Sequence, residues 1–153
     1  MKIIFLDFDG VLNSEKYLHS CGQFGVVLDP SRLILLEQTV KATGAQIVLS
    51  SSWREHWGQT LSACDETGIT INKIFNEHGL KVFDKTPKLG TRREQEIAAW
   101  LKNHPEPENF VVLDDAFLSA DFLNGHFVKT SNIRPGLDEN DVAKAILILN
   151  INE

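Results

Sequence analysis

Chemistry concentrates in the first thirteen residues of this chain. Asp7 and Asp9 stand two positions apart and meet a glycine, in the run Asp7-Phe8-Asp9-Gly10-Val11-Leu12-Asn13. Ile3, Ile4, Phe5 and Leu6 precede it, a pattern that reads as a short buried strand ending abruptly in acid. Just past a strand end the chain can turn both carboxylates toward one point. Carboxylates gathered there repel one another unless a cation sits between them, and hard oxygen ligands of this kind suit magnesium. Gly10 permits a sharp turn that a Cβ would obstruct.

Two other apolar runs end in the same manner. Ile47-Val48-Leu49 passes into Ser50-Ser51-Ser52, and Phe110-Val111-Val112-Leu113 passes into Asp114-Asp115. Each alone is explained by the need for a strand to end in something polar. Together, carboxylates and hydroxyls at three strand ends suit one phosphate-and-magnesium site. Arg92 and Arg93 fall in the first turn of a predicted helix, where a cation faces the positive end of the macrodipole. A bound anion would compensate, since a helix N-terminus with an arginine is a good phosphate site.

The elements that must position these groups are marked by caps and periodicity. Asp29 reads as an N-cap with Pro30 at the first helical position, followed by Leu33, Leu36 and Val40 at helical spacing and Gly44 as the stop. Thr91 and Glu94 form a predicted capping box before Ile97, Trp100 and Leu101, and Pro105 and Pro107 end that helix. Phe127-Val128 is a short strand. A last helix is predicted from about Asp138 to Leu149, with Val142, Ala145, Ile146 and Leu149 on one face. Ser14–Leu28 and Glu55–Lys88 admit loops, a short helix or a small hairpin. Strands alternating with helices imply an α/β fold, a parallel sheet covered on both faces. In such sheets ligands bind outside the carboxyl ends of the strands.

Composition narrows the function. A chain of 153 residues with 42% hydrophobic content is suited to one domain with a real core, over residues 1–153. The net charge of -6 argues against broad nonspecific nucleic-acid binding. No apolar run approaches the roughly 20 residues of a membrane helix, and no signal-peptide pattern opens the chain. Cys21 and Cys64 lack metal-ligand spacing and read as reduced thiols, so a cytoplasmic location is expected. His19, His56, His78, His104 and His126 show no metal-ligand spacing to one another.

The Asp7-to-Gly10 run resembles the first motif of the haloacid dehalogenase (HAD) superfamily, an apolar strand followed by Asp-x-Asp-Gly. The later motifs are similar too, in the usual order. The resemblance implies that Asp7 is the nucleophile and Asp9 the general acid/base. Ser50, or Ser51 in its place, would hydrogen-bond the phosphoryl oxygen. Arg93 would be the basic residue, with Lys88 and Arg92 behind it. Asp114 would bind magnesium directly, and Asp115 would bind it or support it, completing a metal set of Asp7, Asp9, Asp114 and Asp115.

Ser51-Ser52-Trp53-Arg54, the run Arg93 to Leu101, Val112-Leu113-Asp114-Asp115 and Gly136-Leu137 carry a closer likeness. They resemble the small HAD subgroup associated with Swiss Army Knife RNA-repair proteins, from Lys2 to about Leu147. A Rossmann-like HAD sheet with a minimal or absent cap is then expected, since the segments between motifs leave room only for a small insert. The activity implied is that of a magnesium-dependent phosphatase working through an aspartyl-phosphate. An acid at position 9 supports this, because dehalogenases of the superfamily lack it and its P-type ATPases carry threonine there. Arg54 is a candidate for a second anionic group on the substrate, Trp53 reads as a core or lid residue, and Trp100 as core. The substrate would be a small phosphate ester or a macromolecular end. A polynucleotide end would need a basic track, for which Lys81, Lys85, Lys88, Arg92 and Arg93 are candidates. The competing class is a non-catalytic HAD-like module that binds magnesium in a complex, but the presence of both motif I carboxylates favours the enzyme.

Overall fold

A computed structural model describes residues 1–22, 25–133 and 135–151. Its elements, in chain order, are β1 (Lys2–Leu6), α1 (Glu15–Cys21), α2 (Pro30–Thr43), β2 (Gln46–Leu49), α3 (Glu66–Glu77), β3 (Val82–Lys85), α4 (Arg93–Asn103), β4 (Asn109–Asp114), β5 (Phe127–Lys129) and α5 (Glu139–Leu149). The strands form one sheet in the order β3-β2-β1-β4-β5, and every neighbouring pair is parallel. This is the α/β, Rossmann-like architecture expected from the alternation of strands and helices.

Alternation along the strands divides the core into two layers. Ile4, Leu6, Ile47, Leu49, Val111 and Leu113 face α2, α3 and α5, meeting Leu33, Leu36, Ile71, Phe75, Val142 and Ala145. Ile3, Phe5, Val48 and Val112 face α4, meeting Ile97 and Trp100. There the Phe5 and Trp100 rings pack edge to face, with centroids 5.4 Å apart. Burial on both faces explains why these strands are apolar without interruption.

Caps set the helix limits as chemistry predicts. Asp29 accepts from the Ser31 N–H at 2.9 Å ahead of Pro30, and Gly44 (φ 68°) closes α2. Asp138 and Asp141 cap α5 reciprocally, at 2.8 and 3.1 Å. The start of α4 differs from expectation. Arg92, in extended conformation, is its N-cap, and its N–H donates to Gln95 Oε1 at 3.3 Å, so the capping interaction lies one residue beyond the Thr91–Glu94 pair. That shift leaves Arg93 as the first helical residue.

The two segments left open by sequence hold regular structure. Ser14–Leu28 contains α1, capped by Ser14 Oγ on the Tyr17 N–H at 3.2 Å. Glu55–Lys88 contains α3 and β3, a crossover that returns to the sheet edge. Gly68 in α3 has a local reason: a Cβ there would lie 2.0 Å from the His56 carbonyl oxygen. Among the described residues, neither connection builds a separate cap over the strand ends.

Candidate active site

The parallel register brings the polar strand ends side by side. Leu6 pairs with both Leu49 and Leu113, so the next residues, Asp7, Ser50 and Asp114, form one row. The Asp7 N–H donates to the Leu113 carbonyl and the Ser50 N–H to the Leu6 carbonyl, each at 3.0 Å, which extends the ladder by one step. The row continues the sheet face of Phe5, Val48 and Val112, the face that α4 covers. Arg93, opening α4, therefore points its guanidinium at it. Arg93 Nη1 lies 2.6 Å from Asp114 Oδ2 and 3.1 Å from Asp7 Oδ2.

Asp7, Asp114 and Asp115 each offer an oxygen to one point, with these atoms within 4.8 Å of one another. Asp114 is fully buried, and its Oδ1 accepts from the Ala116 N–H at 2.8 Å. Gly10 makes the turn that admits Asp115. Its φ is +80°, and a Cβ there would lie 2.2 Å from Asp115 Oδ2, so glycine answers both a backbone and a space requirement.

Three carboxylates around one arginine leave negative charge uncompensated. Burial pushes the Asp7 carboxyl up to about 7, and repulsion from Asp114 and Asp115 adds to this, while Arg93 offsets part of it. Asp115 is raised as well, by burial and then by Asp114. Burial works against the charge on Arg93, but Asp7 and Asp114 outweigh it and hold the guanidinium above its ordinary value. An all-oxygen set that lacks positive charge fits a hard divalent cation such as magnesium.

Asp9 stands apart from this cluster. Its Oδ1 accepts from Asn13 Nδ2 at 3.0 Å and its Oδ2 from Trp53 Nε1 at 3.1 Å. Of the four carboxylates expected to hold metal, three converge through their side chains and Asp9 does not.

The two serines are told apart by their partners. Ser51 Oγ caps the short 3-10 turn Ser52–His56, accepting from the Trp53 N–H at 3.2 Å. Ser50 Oγ is buried beside Asp7 with no hydrogen-bond partner among the described residues. An unpaired buried hydroxyl is costly, which suits one that a substrate oxygen would satisfy.

Three expected substrate contacts lie elsewhere. Arg54 is buried: Nη1 donates to the Ser50 and Ser51 carbonyls at 3.1 and 3.3 Å, and Nη2 to Glu96 Oε2 at 2.5 Å. Glu96 also accepts from the Leu89 N–H at 3.2 Å. Arg54 thus braces the serine loop against α4 and does not reach outward for a second anion. Lys88 pairs with Glu55 at the surface. Arg92 is exposed, 3.9 Å from Glu94. Of the three rival cations, the fold brings Arg93 alone to the carboxylates.

Sequence reasoning assigned no role to Asn13 or Thr130. Asn13 Oδ1 accepts from the Gly10 N–H at 3.0 Å while its Nδ2 also reaches the Val27 carbonyl. Thr130 Oγ1 donates to the Gly10 carbonyl at 2.7 Å, and its N–H to the Asp114 carbonyl at 2.9 Å. Asn13 could have been found by its place in the acidic run. Thr130 follows a strand of three residues and left no signal.

Comparison with known proteins agrees with this geometry. No curated protein and no solved structure matches the chain. One family does, that of the HAD domain in Swiss Army Knife RNA repair proteins, over residues 3–142. The matched stretch holds β1 from Ile3 onward, the other four strands and every residue of the site, and the chain belongs to this HAD-domain family.

Proposed function

We propose that the protein is a magnesium-dependent phosphatase that hydrolyses phosphomonoesters through an aspartyl-phosphate on Asp7. The observation that carries this is the Asp7–Asp114–Asp115 convergence with Arg93 laid across it. Asp7, Asp114 and Asp115 would hold the magnesium ion, which supplies charge neutralisation at the phosphoryl oxygens. Asp7 attacks phosphorus in line, forming the acyl phosphate as the ester oxygen departs. Arg93 and the Ser50 hydroxyl stabilise charge on the equatorial oxygens. Asp9 gives its proton to the departing oxygen, then takes one from the water that hydrolyses the intermediate. Inorganic phosphate leaves and Asp7 and Asp9 return to their starting states.

The experiment is hydrolysis of nitrophenyl phosphate with and without magnesium, for wild type and Asp7→Asn. Magnesium-dependent turnover that Asp7→Asn abolishes is expected. Turnover that survives in Asp7→Asn would overturn the nucleophile assignment. A folded wild-type protein that binds magnesium and turns over nothing would favour the non-catalytic module.

The uncapped strand ends suit a phosphate on a small molecule or on a macromolecular end. A polynucleotide-end phosphatase draws support from the description of the family and from Phe117, which stands 88% exposed two residues past Asp115 and offers a face for base stacking. Against it, the basic track is largely spent. Lys85 donates to the Arg54 and Trp57 carbonyls, and Lys88 pairs with Glu55. Steeply salt-dependent binding of short RNA would favour the polynucleotide reading, and no binding at low salt would remove it. None of the described helices is long and apolar enough to cross a membrane, and Cys21 and Cys64 are free thiols, which supports a cytoplasmic location.

A further inference from the structure

We propose that Trp53 is a positioning residue for the acid/base carboxylate, so that one short segment, Ser50 to Arg54, governs both ends of the phosphoryl transfer. The inference rests on the phosphatase reading and deepens it. Asp9 sits two residues from Asp7, whose carboxylate pairs with Arg93, but lies outside the point where three carboxylates converge. Free to rotate, a fourth carboxylate would be drawn toward the same positive charge. Instead each of its oxygens is held: Oδ2 by the Trp53 indole N–H at 3.1 Å, Oδ1 by Asn13 Nδ2 at 3.0 Å.

Both partners are themselves fixed. The Asn13 amide is oriented by the Gly10 N–H on its oxygen and by the Val27 carbonyl on its nitrogen. Trp53 is set by Ser51 Oγ on its own N–H and by packing of its ring against the core. Arg54, next in sequence, ties the Ser50 and Ser51 carbonyls to Glu96 of α4. The segment that presents the Ser50 hydroxyl to the phosphoryl group therefore also sets the place of Asp9.

The donors have a second consequence. An indole N–H can only donate, and the Asn13 group that faces Asp9 is also a donor. Neither can take a proton from Asp9. Each carboxylate oxygen that accepts one hydrogen bond keeps a lone pair for a proton. Both partners therefore hold the Asp9 carboxylate in place without accepting a proton from it.

The test compares wild type with Trp53→Phe, which keeps an aromatic ring and removes the N–H. Two substrates are used with magnesium: nitrophenyl phosphate, whose leaving group departs without protonation, and 2-phenylethyl phosphate, whose alkoxide must be protonated. The reading is kcat/KM, which reports transfer to Asp7 and excludes later hydrolysis. Trp53→Phe is expected to lose about tenfold or more on the alkyl ester and less than about threefold on the aryl ester, in keeping with displacement of a general acid. Magnesium affinity, followed by thermal shift, is expected to stay within about twofold, since the Trp53 N–H bonds to Asp9, which is not one of the three converging carboxylates. Equal losses on the two esters, no loss on either, or a large fall in magnesium affinity would overturn the proposal. If wild type hydrolyses neither ester, the phosphatase reading falls and takes this one with it. Hydrolysis of both by wild type with an unselective Trp53→Phe removes the clamp alone.

Discussion

Removing the Asp7 carboxylate should stabilise the metal-free protein. Asp7 has a carboxyl pushed up to about 7 from an ordinary 3.8, by burial first and then by Asp114 and Asp115. Its side chain is 7% exposed, so solvent screens little of this. The folded state binds the Asp7 proton more tightly than the unfolded chain does. Between about pH 4 and pH 7 the folded protein therefore carries more protons, and stability falls as pH rises through that window. The full difference of about three units is worth about 4 kcal/mol above pH 7. Asp7→Asn removes the buried charge; the shift already includes the Arg93 attraction, and the burial of the neutral amide in its place leaves an expected gain of about 2–4 kcal/mol. For a chain of this length that is roughly 5–12 °C in Tm. The assay is thermal unfolding of both proteins in EDTA at pH 5 and pH 8. The gain should appear at pH 8 and shrink by more than half at pH 5. Added magnesium should raise wild type and leave Asp7→Asn nearly unmoved. An Asp7→Asn protein less stable than wild type at pH 8, or a difference that ignores pH, would refute the reasoning.

Two other substitutions separate structural from chemical roles. Glu96→Ala leaves the Arg54 guanidinium buried without its carboxylate, so chemical denaturation should show a loss of about 3–5 kcal/mol; a loss below about 1 kcal/mol would show that Arg54 is not the brace described. Ser50→Ala and Ser51→Ala should part company. Ser50→Ala removes a hydroxyl that has no partner among the described residues, so stability should hold while kcat/KM falls by roughly 10²-fold. Ser51→Ala removes an N-cap, so it should cost about 1 kcal/mol in unfolding and leave the chemistry near wild type.

What was legible in the sequence was local. Three apolar runs ending in Asp7, Ser50 and Asp114 announced themselves because a strand buried on both faces has no polar residue until it emerges. Asp29-Pro30 and Gly44 marked α2 because caps satisfy backbone groups within a few residues of themselves. The strand β3 escaped notice because it is an edge strand whose Phe83, Asp84 and Lys85 are not fully buried, and α3 because Gly68 and its threonines hide a helix that Ile71 and Phe75 secure by packing. The acidic run likewise marked where the site lies, but its composition could not distribute the parts. Which of Lys88, Arg92 and Arg93 meets the carboxylates depends on where α4 begins and on its packing against the sheet. Whether Arg54 faces solvent or Glu96 depends on a partner 42 residues away. That Asp9 leaves the cluster depends on an indole 44 residues distant. Local sequence determines strand ends and caps because their energetics are settled among near neighbours, while the identity of each charge's partner is decided by parallel register and helix packing, which exist only once the chain has folded.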